Sequence, residues 1–135
     1  MIAPLVVKES WILKDEPAKE NPARHPFDLE ERTAVFGERI VRFAKSMPRH
    51  PANDRLISQI VGAGTSIGAN YCEANDSLSK KDFRHSVSRC VKEAKESPYF
   101  LRMIAASEPA LAAEARKLWR EATELLRILA SMYKR

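Results

Sequence analysis

Cations at helical spacing are the residues of this chain that could do chemistry. Positions 81, 84, 88, 92, 95, 99 and 102 recur at intervals of three and four, so they share one face of a helix. Lys and Arg neutralise phosphates, and an exposed tyrosine stacks on a base, so this face is typical of nucleic-acid binding. Its candidate residues are Lys80, Lys81, Arg84, Lys92, Lys95, Tyr99 and Arg102, to which the next helix adds Arg116, Arg120 and Arg127 at similar spacing.

A solvated surface is the alternative for this cationic face. Glu93 and Glu96 are close enough in the sequence to neutralise part of its charge. In favour of a function, Lys80 and Lys81 occupy the first turn of the helix, where the helix dipole disfavours cations and favours anions. The two interpretations stay open on the sequence alone.

Residues for catalysis or metal binding do not assemble into a recognisable arrangement. Asp82 and His85 form a single carboxylate-x-x-histidine pair, whereas a di-iron bundle needs two such pairs and two further glutamates. No histidine lies at helical spacing to Cys72 or Cys90. We therefore expect no enzyme activity, no catalytic residue, no metal and no cofactor.

Composition places the chain among globular, charge-rich domains. Its 135 residues are 44% hydrophobic and 30% charged, and the formal net charge is +5, which favours a polyanionic partner without identifying one. The amino terminus shows no apolar signal region, and two cysteines in such a chain favour a reducing compartment, so we expect a cytoplasmic protein.

Helical periodicity begins after an N-terminal arm. Residues 1–26 contain four prolines, which punctuate any helix there, so we expect an irregular arm whose residues 5–7 and 11–13 could dock on the body or on a neighbour. Residues 27–135 form the predicted domain. Its first helix opens at Asp28, with Glu31 completing a capping box, and ends at Pro48. Its inward face is Leu29, Thr33, Phe36, Ile40, Phe43 and Met47.

Three further helices are predicted with the same spacing. The second follows Asn53 as its cap, the third follows a capping box of Ser79 and Asp82 and is kinked by Pro98, and the fourth follows Pro109. Their inward residues are Ile57, Ile60, Gly64, Ile67, Tyr71 and Ala74; Phe83, Val87, Cys90, Ala94, Ser97, Leu101 and Ile104; and Leu111, Ala115, Leu118, Ala122, Leu125, Leu129 and Met132. Short connections between them predict an all-α, antiparallel, up-and-down four-helix bundle.

The second helix is unusual because residues 56–72 carry no charge. Gly64 and Gly68 form a GxxxG motif, but the segment is too polar and too short to span a membrane, and we expect no membrane contact. Glycine in a helix costs about 1 kcal/mol relative to alanine, so close approach of another helix at Gly62, Gly64 and Gly68 is expected. Tight packing within one chain is one interpretation; a subunit interface is the one that we favour.

The two cysteines are not expected to form a disulfide within one chain. At 1.5 Å per residue, Cys72 and Cys90 differ in height along the predicted hairpin by roughly 12 Å, whereas a disulfide needs Cα atoms within about 7 Å. We predict that both are buried apolar side chains.

Three ordered motifs carry a family resemblance. The runs GTSIGANYCEAN at 64–75, SKKDF at 79–83 and KEAKESPYFL at 92–101 resemble the four-helix bundle proteins encoded in intervening sequences of bacterial 23S ribosomal RNA genes. The resemblance implies a ring-like homopentamer. It also extends to accessory proteins of diversity-generating retroelements, which have a basic surface and bind nucleic acid and a reverse transcriptase.

The resemblance supplies motif residues and no catalytic ones. The matching positions are Ser66, Ile67, Asn70, Glu73, Ser79, Asp82, Phe83, Glu93, Glu96, Tyr99 and Leu101. The arm and Pro98 depart from the family's motifs. We interpret the motif as structural and expect Glu73 to pair with Lys80, Lys81 or Arg84.

Together these observations predict a cytoplasmic, non-enzymatic homo-oligomer that binds RNA or DNA without sequence preference through its basic surface. The alternative is a scaffold that binds another protein and no nucleic acid.

Overall fold

The computed structural model describes residues 28–134, which form four long helices. They are α1 (Leu29–Lys45), α2 (Pro51–Asn75), α3 (Lys80–Ser107) and α4 (Ala112–Lys134), with a 3-10 turn at Pro109–Leu111 before α4. No strand occurs among these residues. The predicted arm, residues 1–26, lies outside the described residues.

Contacts between the helices define an up-and-down bundle. The α2–α3 and α3–α4 contacts are the most extensive, α1 packs along α2, and a smaller contact between α1 and α4 closes the bundle. Residues near the start of α1 meet the end of α2, as in the 3.2 Å hydrogen bond from Asn75 Nδ2 to Glu30 Oε2. In the same sense, Asn53 near the start of α2 accepts a hydrogen bond from Ser107 at the end of α3. Neighbouring helices are therefore antiparallel, and α1 lies diagonally opposite α3.

The core confirms the predicted inward faces, because every residue on them is buried or half-buried. Phe36 and Ile40 of α1, Ile67 of α2, Leu101 of α3 and Leu125 of α4 are at most 1% exposed. Leucine, isoleucine and phenylalanine from four helices thus fill one apolar centre.

The helix starts agree with the sequence only in part. Ser79 caps α3 as predicted, since its Oγ accepts a hydrogen bond from the Asp82 backbone N–H at 3.0 Å. The side chain of Asp28, by contrast, makes no cap hydrogen bond at α1. The prediction of Asn53 as the α2 cap is wrong: the cap is His50, and Pro51, whose fixed φ suits the first helical position, begins the helix.

Pro98 lies inside α3 without ending it. The ring removes one backbone donor from the helix, while Ser97 Oγ in the same turn donates to the Glu93 carbonyl at 3.0 Å. Ser97 is fully buried, so packing of α3 between α2 and α4 holds the turn together. The predicted kink stays a prediction.

Candidate nucleic-acid interface

The outer face of α3 exposes the cations that the sequence singled out. Six of the seven candidate residues there are cations, all exposed, and Tyr99 is 59% exposed: Lys80, Lys81, Arg84, Lys92, Lys95, Tyr99 and Arg102. Val87, Cys90 and Ala94 point to the core from the other side of the same helix. The amphipathic pattern of α3 therefore turns its cations to the surface. We call these seven residues the α3 cationic face.

Few acids oppose this face. Within residues 28–134, no ion pair is formed by Lys80, Lys81, Lys92, Lys95 or Arg102. Glu93 is half-buried; burial raises the pKa of its carboxyl, and the neighbouring Glu96 raises that pKa further, while Lys92 and Arg89 lower it. The two glutamates thus weaken the charge beside Lys92 without forming an ion pair with it.

One end of the cationic face is concave. The first three turns of α3 and the end of α4 border an open cavity of about 640 Å³, lined by Lys80, Lys81, Arg84, His85, Ser88 and Tyr133. Arg84 lies over the Tyr133 ring with its Cζ atom 4.8 Å from the ring centroid, which is cation–π geometry. Among the described residues, no carboxylate side chain lines this cavity. We call it the basic pocket.

Tyr99, farther along α3, offers an aromatic surface. Its ring packs edge-on against Phe100, with centroids 5.4 Å apart and an interplanar angle of 82°. This contact orients the Tyr99 ring and leaves more than half of the side chain exposed. A ring held in this way can stack on an unpaired base.

The arginines of α4 differ among themselves. Arg127 is exposed, whereas Arg116 and Arg120 are half-buried and interact with other residues of the protein. Sequence spacing alone did not separate these two environments. Of the three α4 candidates, Arg127 is the exposed cation.

The predicted pairing of Glu73 with the start of α3 is wrong. Glu73 Oε2 lies 3.4 Å from Nη1 of Arg89, which lies farther along α3 than the three predicted partners. Helical side chains tilt toward their own N-terminus, and in two antiparallel helices this brings Glu73 and Arg89 together. Lys80, Lys81 and Arg84 are consequently left to the basic pocket.

The other motif residues differ in burial, and their structural interpretation stays a prediction. Ile67 and Asn70 of α2 and Leu101 of α3 are buried, and the remaining members are half-buried or exposed. Among these are Ser66, Phe83, Glu93 and Glu96, which are half-buried, and Asp82, which is exposed and whose backbone N–H serves the α3 cap.

Two of the three candidate interface glycines are explained by packing within one chain. A Cβ atom at Gly64 would lie 2.8 Å from Ile40 Cγ1, and one at Gly68 would lie 3.1 Å from Thr33 Oγ1. These glycines let α1 approach α2, which is the alternative that we did not favour. Gly62 is different, because a Cβ there would meet nothing within 4 Å. The interface interpretation of Gly62 stays a prediction.

The cysteines are free and lie in different environments. Cys90 is fully buried, and burial raises the pKa of its thiol to about 12. Cys72 is exposed, so the prediction that both are buried is wrong for Cys72. Cys72 follows Ala69, another exposed position of α2, on the side away from the core.

Sequence reasoning missed a buried ion pair between α1 and α4. Arg32 donates to both carboxylate oxygens of Glu121, from Nε at 2.8 Å and from Nη2 at 3.0 Å. A signal was present: Arg32 follows Leu29 by three residues, as Glu121 follows Leu118, so both charges stand at core spacing. The α1–α4 contact therefore includes a charged pair in the interior.

A polar network at the other end of the bundle was also missed. Asn53 is fully buried, and its amide Nδ2 donates to the Pro48 carbonyl at 2.7 Å and to Glu108 Oε2 at 3.1 Å. Its Oδ1 accepts from Ser107 Oγ at 2.6 Å. This network ties the α1–α2 loop to the end of α3.

No group of three or more His, Cys, Asp or Glu side chains in residues 28–134 could hold a metal ion. In the same range, no helix is long and apolar enough to cross a membrane.

The described residues form an all-helical bundle of four long helices. The model of the family described as 23S rRNA-intervening sequence protein matches residues 27–131, and the chain belongs to this family. The resemblance drawn from the three sequence motifs is thereby confirmed.

A solved structure supports the same fold. The chain is similar to a crystal structure of a protein with unknown function from the S23 ribosomal protein family of Bacteroides thetaiotaomicron. The two are 28% identical with a TM-score of 0.71, and the match covers 82% of this chain and 98% of that chain. A comparison with curated proteins found no match.

Proposed function

We propose that this protein binds RNA or DNA without sequence preference through the α3 cationic face. One observation carries the proposal: exposed cations follow one side of α3 from Lys80 to Arg102, and within residues 28–134 their charge is not used in ion pairs. This row extends roughly 30 Å along the helix at 1.5 Å per residue, enough to meet several phosphates.

The chemistry of the face favours binding to the backbone of a nucleic acid. Lysines and arginines on phosphates position a nucleic acid and do not read its bases. Tyr99 adds a stacking surface, and stacking tolerates any base. We therefore expect similar affinities for unrelated sequences and a preference for segments with unpaired bases.

A charge-reversal pair tests the proposal. Lys92→Glu combined with Lys95→Glu should abolish most binding to mixed-sequence RNA and DNA, measured by fluorescence anisotropy over a range of salt. The matched control is Arg42→Glu with Lys45→Glu, because these exposed cations have the same spacing on α1, diagonally opposite α3. The control should retain binding, with helicity by circular dichroism unchanged in both variants.

Two results would overturn the proposal. Equal loss of affinity in the two double variants would mean that net charge, and not the α3 cationic face, drives binding. Absence of binding by the wild-type protein to either nucleic acid at low salt would remove nucleic-acid binding altogether.

The proposed assembly is a homo-oligomer, with a pentamer as the expected form. Its support is the uncharged segment 56–72 of α2, in which Ser58, Gly62 and Ala69 remain exposed in the single chain. Light scattering should give about five chain masses. Because Gly62 has open space around it, Gly62→Arg should break the assembly without unfolding the chain. A monomeric wild type, or an unchanged oligomer in this variant, would contradict this interface.

A protein-binding scaffold is the second candidate. An apolar groove between α1 and α2, lined by Ala34, Gly37, Val41 and Ala69 among others, favours it. Phosphate contacts give a steep dependence of affinity on salt, whereas an apolar protein interface gives a shallow one. The slope of log affinity against log salt, measured for the partner that binds best, separates nucleic-acid binding from a protein-binding scaffold.

The remaining parts of the proposal are a non-enzymatic role and a cytoplasmic location. The non-enzymatic role is supported by a family and a solved relative that are not described as enzymes. The location is supported by the two free cysteines, which favour a reducing compartment. Cell fractionation tests the location.

A further inference from the structure

The basic pocket differs from the rest of the α3 cationic face. Lys92, Lys95 and Arg102 follow a helix surface, whereas Lys80, Lys81 and Arg84 line one cavity with His85, Ser88 and Tyr133. We infer that this pocket binds a phosphate monoester. Resting on the proposed function, we assign as its ligand the phosphorylated end of a nucleic-acid strand whose backbone continues along α3.

The charge of the pocket matches a monoester better than an internal phosphate. Two lysines and an arginine line it together with the imidazole of His85, and no carboxylate of residues 28–134 is among its lining side chains. The Ser88 hydroxyl stands outside this set of donors, because it donates to the His85 carbonyl at 2.6 Å. An internal phosphodiester carries a single negative charge, whereas a phosphate monoester carries about −1.5 to −2 near neutral pH. The additional negatively charged oxygen of a monoester accepts a further charge-assisted hydrogen bond. A monoester therefore gains more binding energy from this set of donors than an internal phosphodiester does.

The pocket also holds one of its cations in place. The contact between Arg84 and Tyr133 joins the first turns of α3 to the last turn of α4 and restrains the guanidinium before any ligand arrives. A guanidinium presents a planar fork of N–H donors that suits two phosphate oxygens at once. Restraint before binding lowers the entropy lost on binding, so we expect Arg84 to contribute more to the affinity for the terminal phosphate than the two lysines do.

Position explains why the ligand should be a strand end. A terminal phosphate has a nucleotide on one side only, and it can enter a cavity while the rest of the strand leaves along the surface. From Lys81 to Lys92 the helix rises roughly 16 Å at 1.5 Å per residue, and Lys95 and Arg102 continue in the same direction. A strand that starts in the basic pocket thus meets the remaining cations in order.

The experiment compares oligonucleotides of one sequence that differ only at their ends. One carries a 5′-phosphate, one a 3′-phosphate and one has hydroxyls at both ends; adenosine 5′-monophosphate is the free-nucleotide probe. The wild-type protein should bind one of the phosphorylated strands about tenfold or more tightly than the hydroxyl strand. The measured quantity is this ratio, because general loss of charge lowers both affinities together.

Four variants locate the preference. Arg84→Gln and Tyr133→Leu should bring the ratio toward one, whereas Tyr133→Phe keeps the ring under Arg84 and should preserve it. Lys95→Gln is the matched control on the same helix face: it should weaken binding to every strand and leave the ratio unchanged.

The outcomes separate this inference from the proposed function. Equal binding of all three strands by the wild type, or a ratio that Arg84→Gln leaves intact, overturns the pocket assignment while nucleic-acid binding stands. Binding of adenosine 5′-monophosphate that depends on Arg84, without binding of any strand, overturns nucleic-acid binding and keeps the monoester pocket. Binding of neither strand nor nucleotide overturns both.

Discussion

Helices α1 and α3 lie diagonally across the bundle, and the arginines that α1 directs to α4 have a different use from the exposed cations of the α3 cationic face. On α1, Arg32 forms a two-point pair with Glu121, and Arg39 lies 3.7 Å from Glu114, both acids being on α4. On α3, the exposed cations from Lys80 to Arg102 include Arg84, which is held by an aromatic ring and not by an acid. Arginines thus connect α1 to α4 on one side of the bundle. On the other side, arginines and lysines of α3 leave positive charge at the surface.

Burial explains the difference between the two helices. The Arg32 side chain is 7% exposed, and a cation without solvent requires a partner that supplies both charge and hydrogen bonds. Hydrogen bonding to Glu121 accordingly raises the pKa of Arg32. Cations on α3 keep their water and need no acid, so they remain available to an anionic ligand. Stability and the proposed function thus draw on separate sets of positive charge.

The largest expected effect comes from breaking the buried pair. Glu121→Gln leaves Arg32 buried without its main carboxylate, and removal of one partner from such a pair costs about 3–5 kcal/mol of unfolding free energy. Urea unfolding followed by circular dichroism measures the loss. Glu124→Gln is the control, since Glu124 also lies 3.3 Å from Arg32 but is 48% exposed, and its removal should cost below about 1 kcal/mol.

This prediction also tests the separation of the two charge sets. Folded Glu121→Gln protein should bind nucleic acid as the wild type does, because the pair lies outside the α3 cationic face. Equal destabilisation by the two glutamine variants, or a selective loss of binding in Glu121→Gln, would show that the α1 side and the α3 side are not independent.

An intermediate effect is expected where α1 approaches α2. In Gly64→Ala the new Cβ meets the fully buried Ile40 at 2.8 Å, and overpacking of this kind costs about 1–3 kcal/mol. In Gly62→Ala the Cβ meets open space, so the gain in helix propensity should stabilise the fold by up to about 1 kcal/mol. Thermal unfolding of the two variants should therefore shift in opposite directions.

The two alanine variants serve as controls for each other, since the chemical change is the same. Stabilisation by Gly64→Ala would mean that Ile40 moves aside at little cost and that the close contact of α1 with α2 is loose.

Periodicity was sufficient to predict the bundle. The spacing of Phe36 and Ile40 in α1 and of Leu118 and Leu125 in α4 follows directly from which side of each helix is buried. The sequence also placed Lys92 and Lys95 at the surface, because residues opposite a core face must lie there. These successes rest on local geometry, which one helix determines by itself.

Interactions between helices were harder to predict. Arg32 and Glu121 are 89 residues apart, and their pairing depends on how α4 returns to α1. Glu73 pairs with Arg89 because each side chain tilts toward the N-terminus of its own helix. The spacing of residues in the sequence does not show this tilt. Tyr133, the platform of the basic pocket, reaches Arg84 only when α4 has completed its return. Each missed contact joins two helices, and the sequence pattern does not predict how those two helices lie relative to each other.

The smallest expected effect distinguishes two cations of one helix. Lys92 and Arg89 are both exposed on α3, but Arg89 lies 3.4 Å from Glu73, whereas Lys92 forms no ion pair in residues 28–134. If Lys92 meets a phosphate, Lys92→Ala should lower the slope of log affinity against log salt by about 0.7 for single strands and about 0.9 for duplex DNA. Arg89→Ala should leave the slope unchanged, because its charge is already shared with an acid.

Neither alanine variant should change the unfolding free energy by more than about 0.5 kcal/mol, so any difference between them reports on binding. Anisotropy titrations over a range of salt measure both slopes. A fall of the slope in Arg89→Ala as large as that in Lys92→Ala would show that pairing with Glu73 does not withdraw a cation from the interface. The ligand would then contact the side of α3 that faces α2 as well as the α3 cationic face. An ion pair would withdraw a cation from binding only on α1, where Arg32 and Arg39 pair with acids of α4.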